Sequence, residues 1–321
     1  MVFLIYLVVS FVLLEVYFKI AERFGIMDKP NERSSHKVVT LRGAGVVFVF
    51  LLLVVWVYGY VHYKLDFLPH SGKSLNFGNF KNVGFFWGLL IIAIVSFYDD
   101  VRPLPPKVRM AIQFVAVALM VVPMGVSWWV LAVALVLIVG TLNAYNFMDG
   151  INGITALYSL VGVGTAYAML LMGYNLVLGR ELWLALGASL MAFSFYNVRK
   201  KARCFSGDVG AVSVAFILAY WIFGLVLSEG SLVYILFLGV YGLDAVATIA
   251  LRLYRKENIF EAHRSHYYQY LANERGWSHV GVSVLYAGLQ AVLNGLILWE
   301  PLAGVVVYGL LVFGYVRLRL L

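Results

Sequence analysis

Two adjacent carboxylates, Asp99 and Asp100, close the uncharged apolar run Val83–Tyr98, and the stretch DDVRPLPPKVR then supplies Lys107 and Arg109. A carboxylate pair of this kind can bind a metal or handle a phosphate, with nearby cations as phosphate partners. It could also be only a hydrated helix end, although acids at a helix C-terminus oppose the macrodipole. A second polar group is LNAYNFMDGINGI, Leu142–Ile154, which ends the uncharged run Val130–Leu142. Asn143, Asn146 and Asp149 stand at i, i+3 and i+6, one drifting polar stripe on a helix. Amides and acids at a helix end that faces a bundle are functional by default. Asn152, between Gly150 and Gly153, could share that role or could serve a C-cap and turn.

Three more stretches carry candidate chemistry. CFSGDVGA, Cys204–Ala211, sets Asp208 between glycines, either as an N-cap or as a Mg²⁺ ligand with room for a phosphate. EAHRSHYYQ, Glu261–Gln269, gathers His263, Arg264 and His266 into a cationic cluster suited to a diphosphate. The bland alternative is a surface histidine pair, and zinc is a poorer fit because H-x-x-H lacks further clear ligands. Hard oxygen groups without a Cys or His cluster favour Mg²⁺. DKPNERSSHKVVTLRGAG, Asp28–Gly45, carries Arg42. His62, His70 and His279 read as ordinary residues.

The composition specifies the scaffold that must hold these groups. The chain has 321 residues, 63% hydrophobic and 12% charged, with a mean hydropathy of +0.89. A soluble domain of that balance could not cover its surface with polar groups. Apolar runs of spanning length recur, and backbone in lipid must satisfy its own hydrogen bonds, so the fold class is an all-α polytopic membrane protein. The alternating segments of a β-barrel are not seen. Eleven spans are expected, at 2–20, 45–61, 83–98, 110–125, 128–146, 154–173, 182–198, 209–227, 231–251, 280–298 and 301–316. No repeat or soluble boundary divides them, so residues 1–321 read as a single domain. The first run has no basic leader or cleavage site and contains Glu15, so it reads as a retained helix. The lone Cys204 excludes an internal disulfide and reads as a reduced thiol.

Charge distribution sets the orientation. Of 24 Lys and Arg residues, only Lys64, Lys73, Lys81 and Arg180 fall in the even-to-odd loops. The positive-inside rule therefore places the N-terminus outside and the C-terminus in the cytoplasm. It also absorbs the net charge of +8 without any nucleic acid partner. All five polar stretches follow odd-numbered spans, so they share the cytoplasmic face. Carboxylates, amides and cations at a membrane surface suit phosphoryl transfer, which is mainly positioning and charge neutralisation. The substrates would be a phosphate on an apolar lipid and a soluble diphosphate. The rival reading is a polyprenyl-lipid transporter or flippase, which should carry ionisable groups deep in the bilayer. Only Glu15 and Asp244 meet that description, and Asp244 is its strongest candidate.

At these five stretches, from Asp28 to Gln269, the chain resembles the polyprenyl-phosphate N-acetylhexosamine-1-phosphate transferases. PNERSSH and HRSHYYQ look most like the bacterial branch that initiates O-antigen. The resemblance implies transfer of HexNAc-1-phosphate from a UDP-N-acetylhexosamine to undecaprenyl phosphate at the bacterial cytoplasmic membrane, with release of UMP. It implies Mg²⁺, with Mn²⁺ as a substitute, held by Asp208 with Asn146. Phe205 would stack on uracil with Asn152 near the base, and Asp99 would deprotonate or position the lipid phosphate. Lys107 or Arg109 would neutralise that phosphate, Asn143 and Arg42 would bind substrate, and Asp100 and Asp149 would support the network. His263, Arg264 and His266 would bind the diphosphate or sugar. A homodimer is also implied. Asn152 departs from many bacterial members, which have Asp there. His-Arg-Ser-His departs from the triple histidine of the muramoyl-pentapeptide enzymes, which argues against a pentapeptide substrate.

Overall fold

The structure is a computed structural model that describes residues 1–30, 35, 38–65, 83–258 and 264–320. Long apolar sequences without interior proline form helices that run α1 (Val2–Phe24), α2 (Val46–Leu65), α3 (Val83–Val101), α4 (Pro106–Val121), α5 (Trp128–Phe147) and α6 (Ile154–Leu171). They continue as α7 (Arg180–Asn197), α8 (Gly207–Glu229), α9 (Gly239–Tyr254), α10 (Tyr267–Asn273), α11 (His279–Trp299) and α12 (Pro301–Leu320). A two-residue strand, β1 (Met27–Asp28), pairs antiparallel with β2 (Thr40–Leu41).

Each expected span except 231–251 is a helix, with ends shifted by a few residues. Among the described residues, nine helical segments are long and apolar enough to cross a membrane. That differs from the expected eleven. The described apolar part of α2, Val46–His62, is shorter, and α7 is not among the nine. The physical reason for α7 is its surroundings. It packs against α1, α2 and α6, so protein rather than lipid meets most of its surface and the demand for apolar residues is relaxed. The short helix α10 was not expected. It falls in a polar stretch whose hydrophobic pattern gives no span.

The bundle is organised around α8, whose most apolar window is 89% buried, against 6% for α12. α8 packs on α2, α3, α5 and α6. Phe85 of α3 stacks on Phe216 and Tyr220 of α8 at centroid distances of 5.5 and 4.3 Å. Outward residues such as Leu4, Val8 and Val12 of α1 are exposed, as lipid-facing side chains are.

The expected span 231–251 is broken. Leu232–Leu238 is a 3-10 turn, and α9 begins at Gly239. A break inside an apolar segment frees backbone groups that hydrocarbon cannot satisfy. Neighbouring helices supply the partners. Gln290 of α11 accepts from Val240 N–H at 2.9 Å and donates to Leu236 C=O at 2.9 Å. Tyr158 of α6 accepts from Tyr241 N–H at 3.1 Å. Asn294 accepts from Gln290 at 2.6 Å and donates to Thr165 at 2.8 Å. Gln290→Leu would keep the volume but strand both backbone groups. It is expected to lower stability by about 1–3 kcal/mol, read as the midpoint of denaturation in detergent, whereas the exposed Val292→Leu should be neutral.

Candidate active site

The site begins with two chain segments that zip together. Phe205 N–H donates to Leu41 O at 2.7 Å, Ala44 N–H to Phe205 O at 3.0 Å and Gly45 N–H to Ser206 O at 2.9 Å. The pairing locks the residues after β2 to the start of α8. Arg42 is thereby carried to the side of Asp208. Tyr17 of α1 donates to Arg42 O, which anchors the same residue from the membrane side.

Asp100 is the second anchor. Its side chain is fully enclosed. It accepts from Asp208 N–H at 2.8 Å and Val209 N–H at 3.1 Å. These are first-turn donors of α8, so an acid from α3 caps α8 across the bundle. The approach requires glycine at 207, where φ is +71° and a Cβ would meet Asp100 Oδ2 at 2.3 Å. Asp208 itself is not the N-cap, a role the sequence allowed. Ser206 occupies that position, which leaves the Asp208 carboxylate available to side chains.

Those side chains form an alternating ladder. Arg109 Nη1 lies 2.9 Å from Asp99 Oδ2 and 2.9 Å from Asp208 Oδ2. Arg42 Nη2 lies 2.7 Å from Asp208 Oδ1, and its Nε lies 2.6 Å from Asp100 Oδ1. The order is Asp99, Arg109, Asp208, Arg42, Asp100. Burial disfavours the Arg42 charge, but Asp100 and then Asp208 outweigh it and hold the guanidinium above its ordinary pKa. Asp99 also accepts from Leu104 N–H at 2.6 Å, which fixes the turn into α4.

Two cavities meet at Asp208. The larger, about 210 Å³, is open to solvent. Arg42, Asn146, Asp149, Asn152, Phe205 and Asp208 line it. The smaller, about 10 Å³, is walled by Ile92, Val95, Ile112 and Val212 with Ser96, Arg109, Gln113, Asn143, Asn146 and Asp208. Asn146 and Asp208 therefore face both. Asn146 Nδ2 donates to Asp208 Oδ2 at 3.2 Å. Asn143 donates to Gln113 at 2.7 Å.

The remaining sequence candidates are distributed as follows. Asp149, past the end of α5, accepts from Ser206 Oγ. Burial is the main cause that raises its pKa, with the Ser206 hydrogen bond opposing. Asn152 is buried and donates to Arg199 O at 2.8 Å. Lys107 is exposed in the first turn of α4 and lines neither cavity. Arg264 is exposed. His266 is buried and lies against Asp244, its Nδ1 3.3 Å from Oδ1, and it lines neither cavity. His263 lies outside the described residues, as does most of PNERSSH. Cys204 is a buried free thiol whose pKa is pushed up by burial.

Sequence reasoning missed several lining residues. Asp28, Asn197, Gln269 and His279 border the larger cavity, and Gln113 borders the smaller. His279, read as ordinary, has Nδ1 3.4 Å from Asn152 N–H. Asn197 accepts from Gly153 N–H at 2.7 Å and donates to Cys204 O at 2.8 Å. Asp28 opens the stretch DKPNERSSHKVVTLRGAG and Gln269 closes EAHRSHYYQ, the one signal that could have flagged them. Asp244, the strongest candidate for a transport charge, is fully buried and saturated by donors from Tyr267 N–H, Tyr268 N–H, Tyr286 and Tyr315 at 2.9, 3.1, 2.6 and 3.1 Å.

Comparison with known proteins follows from this geometry. The model for glycosyl transferase family 4 matches residues 82–226, a segment that contains Asp99, Asp100, Asn146, Asp149 and Asp208. The chain is 27% identical over 307 residues to a probable undecaprenyl-phosphate N-acetylglucosaminyl 1-phosphate transferase of Bacillus subtilis, covering 88% of this chain and 80% of that one. It is 26% identical over 230 residues to the undecaprenyl-phosphate alpha-N-acetylglucosaminyl 1-phosphate transferase of Yersinia pestis, covering 64% and 56%. It is 26% identical over 185 residues to a phospho-N-acetylmuramoyl-pentapeptide-transferase of Kosmotoga olearia, covering 56% and 55%.

The Asp149 environment makes a pH-dependent prediction. A carboxyl whose folded pKa lies above its unfolded value binds more protons when folded, so stability falls as pH rises above the ordinary value of 3.8. Asp149→Asn removes that titration and keeps an acceptor for Ser206. The stability of the variant relative to wild type should therefore rise between about pH 4 and about pH 8, measured as thermal midpoints in detergent. A constant difference across that range would contradict the assignment.

Proposed function

We propose that the chain is a glycosyl transferase family 4 enzyme that transfers HexNAc-1-phosphate from a UDP-N-acetylhexosamine to undecaprenyl phosphate, giving undecaprenyl-diphospho-HexNAc and UMP. The observation that carries the reading is the position of Asp208 in the wall between two cavities, with Arg42 on one side and Arg109 on the other. The solvent-open cavity suits a soluble nucleotide sugar. In this reading the lipid phosphate approaches Arg109 from the side of the smaller cavity, where Ile92, Val95, Ile112 and Val212 meet Arg109, Gln113 and Asn143. The Bacillus subtilis and Yersinia pestis relatives, named for undecaprenyl phosphate and N-acetylglucosamine, support N-acetylglucosamine as the first sugar to test.

In this reading an oxygen of the lipid phosphate attacks the phosphorus that bears the sugar. A new P–O bond forms, the bridging P–O bond to the nucleotide breaks, and UMP leaves with that oxygen. Asp99 accepts the proton of a protonated lipid phosphate, and Arg109, already shared between Asp99 and Asp208, neutralises the attacking group. Arg42 neutralises the donor diphosphate from the other side. Phe205 and Asn152 face the solvent-open cavity, where they suit a uracil ring and its polar edge.

The donor set is compatible with Mg²⁺. Among the described residues no three His, Cys, Asp or Glu side chains converge on a metal position. That disfavours a protein-only cage but suits Mg²⁺, which binds through one or two carboxylates, waters and substrate phosphates. Asp208 and Asn146 would hold the ion. When bound, it neutralises charge on the diphosphate. A cytoplasmic site, an outside N-terminus, initiation of an O-antigen and a homodimer belong to the same proposal.

The test is release of UMP from purified protein given undecaprenyl phosphate, Mg²⁺ and a panel of UDP-N-acetylhexosamines. Lipid-dependent UMP is expected, and Asp99→Asn should lower the rate by about 10²–10⁴-fold. Asp208→Asn should also remove activity while the protein still inserts and folds. Wild-type rates in both variants would sink the assignment. Arg42→Lys gives a finer test. Lysine has one point charge and cannot bridge Asp100 and Asp208 through two nitrogens, so activity should fall at least about tenfold, as for loss of one buried charge contact. An unchanged rate would show that the fork is dispensable.

A further inference from the structure

Tyr268 lies outside every role assigned above, yet it connects two parts of the fold. It is fully buried on α10. Its backbone N–H donates to Asp244 Oδ2 at 3.1 Å, beside Tyr267 N–H on Oδ1 at 2.9 Å. The opening N–H groups of α10 are thus held by an acid on α9. Its hydroxyl donates to Phe147 O at 2.9 Å. Phe147 is the last residue of α5, in the turn where helix carbonyls take partners from outside the helix.

The same hydroxyl explains a glycine. Gly150 has no left-handed backbone angle, so the turn itself does not demand glycine. A Cβ at 150 would stand 2.2 Å from the Tyr268 hydroxyl oxygen, against 3.1 and 3.3 Å from the next ring atoms. Tyr268 therefore occupies the space that a side chain at 150 would need. Gly150 sits between Asp149 and Asn152 and lines the larger cavity with them.

We propose that Tyr268 is a positioning residue for the turn after α5. Asp244 fixes the start of α10, Tyr268 ties the end of α5, and the fit of its hydroxyl over Gly150 sets where Asp149 and Asn152 stand in the cavity. The inference rests on the function proposed above.

The test is a double-mutant cycle of Gly150→Ala, Tyr268→Phe and both together, each purified in detergent. Gly150→Ala forces the turn away from the hydroxyl, and UMP release should fall by about 100-fold, as for a misplaced site. Tyr268→Phe loses the Phe147 bond and should cost several-fold. The double variant removes the clashing oxygen and should be about tenfold more active than Gly150→Ala alone, the coupling expected of residues in contact. A double variant no more active than Gly150→Ala overturns the inference. So does rescue of the thermal midpoint without rescue of turnover, which would make Tyr268 a packing residue only. Failure of wild type to release UMP would instead count against the reaction. UMP affinity across the same four proteins, by titration calorimetry, then takes the place of turnover: a Kd weakened by Gly150→Ala and restored in the double variant supports the inference, and a Kd not restored overturns it.

Discussion

The Asp208 carboxylate sits between two guanidinium groups, and much of the site is arranged to make that possible. A charge taken out of water is tolerated only when opposite charge and hydrogen bonds surround it. Here Arg42 and Arg109 share one acid, and Asp100 and Asp99 hold the far ends of the two arginines. Removing one member leaves the enclosed Asp100 or the largely covered Asp99 and Asp208 with less opposite charge. The ladder therefore ties the loop after β2 to α3, α4 and α8. It also sets two guanidinium groups where a diphosphate and a lipid phosphate would arrive in the proposed reaction.

The second polar centre, Asp244, does the opposite task. Arg42, Arg109 and Asp208 reach the cavities, whereas Asp244 is closed off by tyrosine hydroxyls and backbone N–H groups from α10, α11 and α12. A carboxylate with all its acceptor sites used is a fastening, not a transport group. This contrast separates the enzyme reading from the flippase reading. Asp244, the stronger of the two acids that a transporter could have used, is occupied in joining helices. The break before α9 follows the same logic, because Gln290 and Tyr158 satisfy its backbone from within protein.

Placement of Asp208 and Asn146 in the wall of both cavities matches the problem the proposed reaction poses. One substrate stays in the bilayer and the other in water. A shared wall lets each enter from its own phase and meet across a few side chains. Apolar side chains, Ile92, Val95, Ile112 and Val212, join the polar ones only on the smaller cavity's side, whereas the larger is lined mostly by polar groups.

Spans and the grouping of polar motifs were legible in the chain because hydrocarbon imposes length and apolarity directly on sequence. The stripe of Asn143 and Asn146 was legible because helical spacing is local. What spacing cannot report is which groups meet across the bundle. Arg42 pairs with an acid 166 positions away. The sequence offered Asp208 as an N-cap, Lys107 as an equal of Arg109, His266 as a cavity cation and His279 as ordinary. Packing turned Asp208 toward two arginines and left Lys107 in solvent. It buried His266 against Asp244 and set His279 in the cavity wall. Each outcome depends on where a distant helix places its backbone, and only the folded chain determines that.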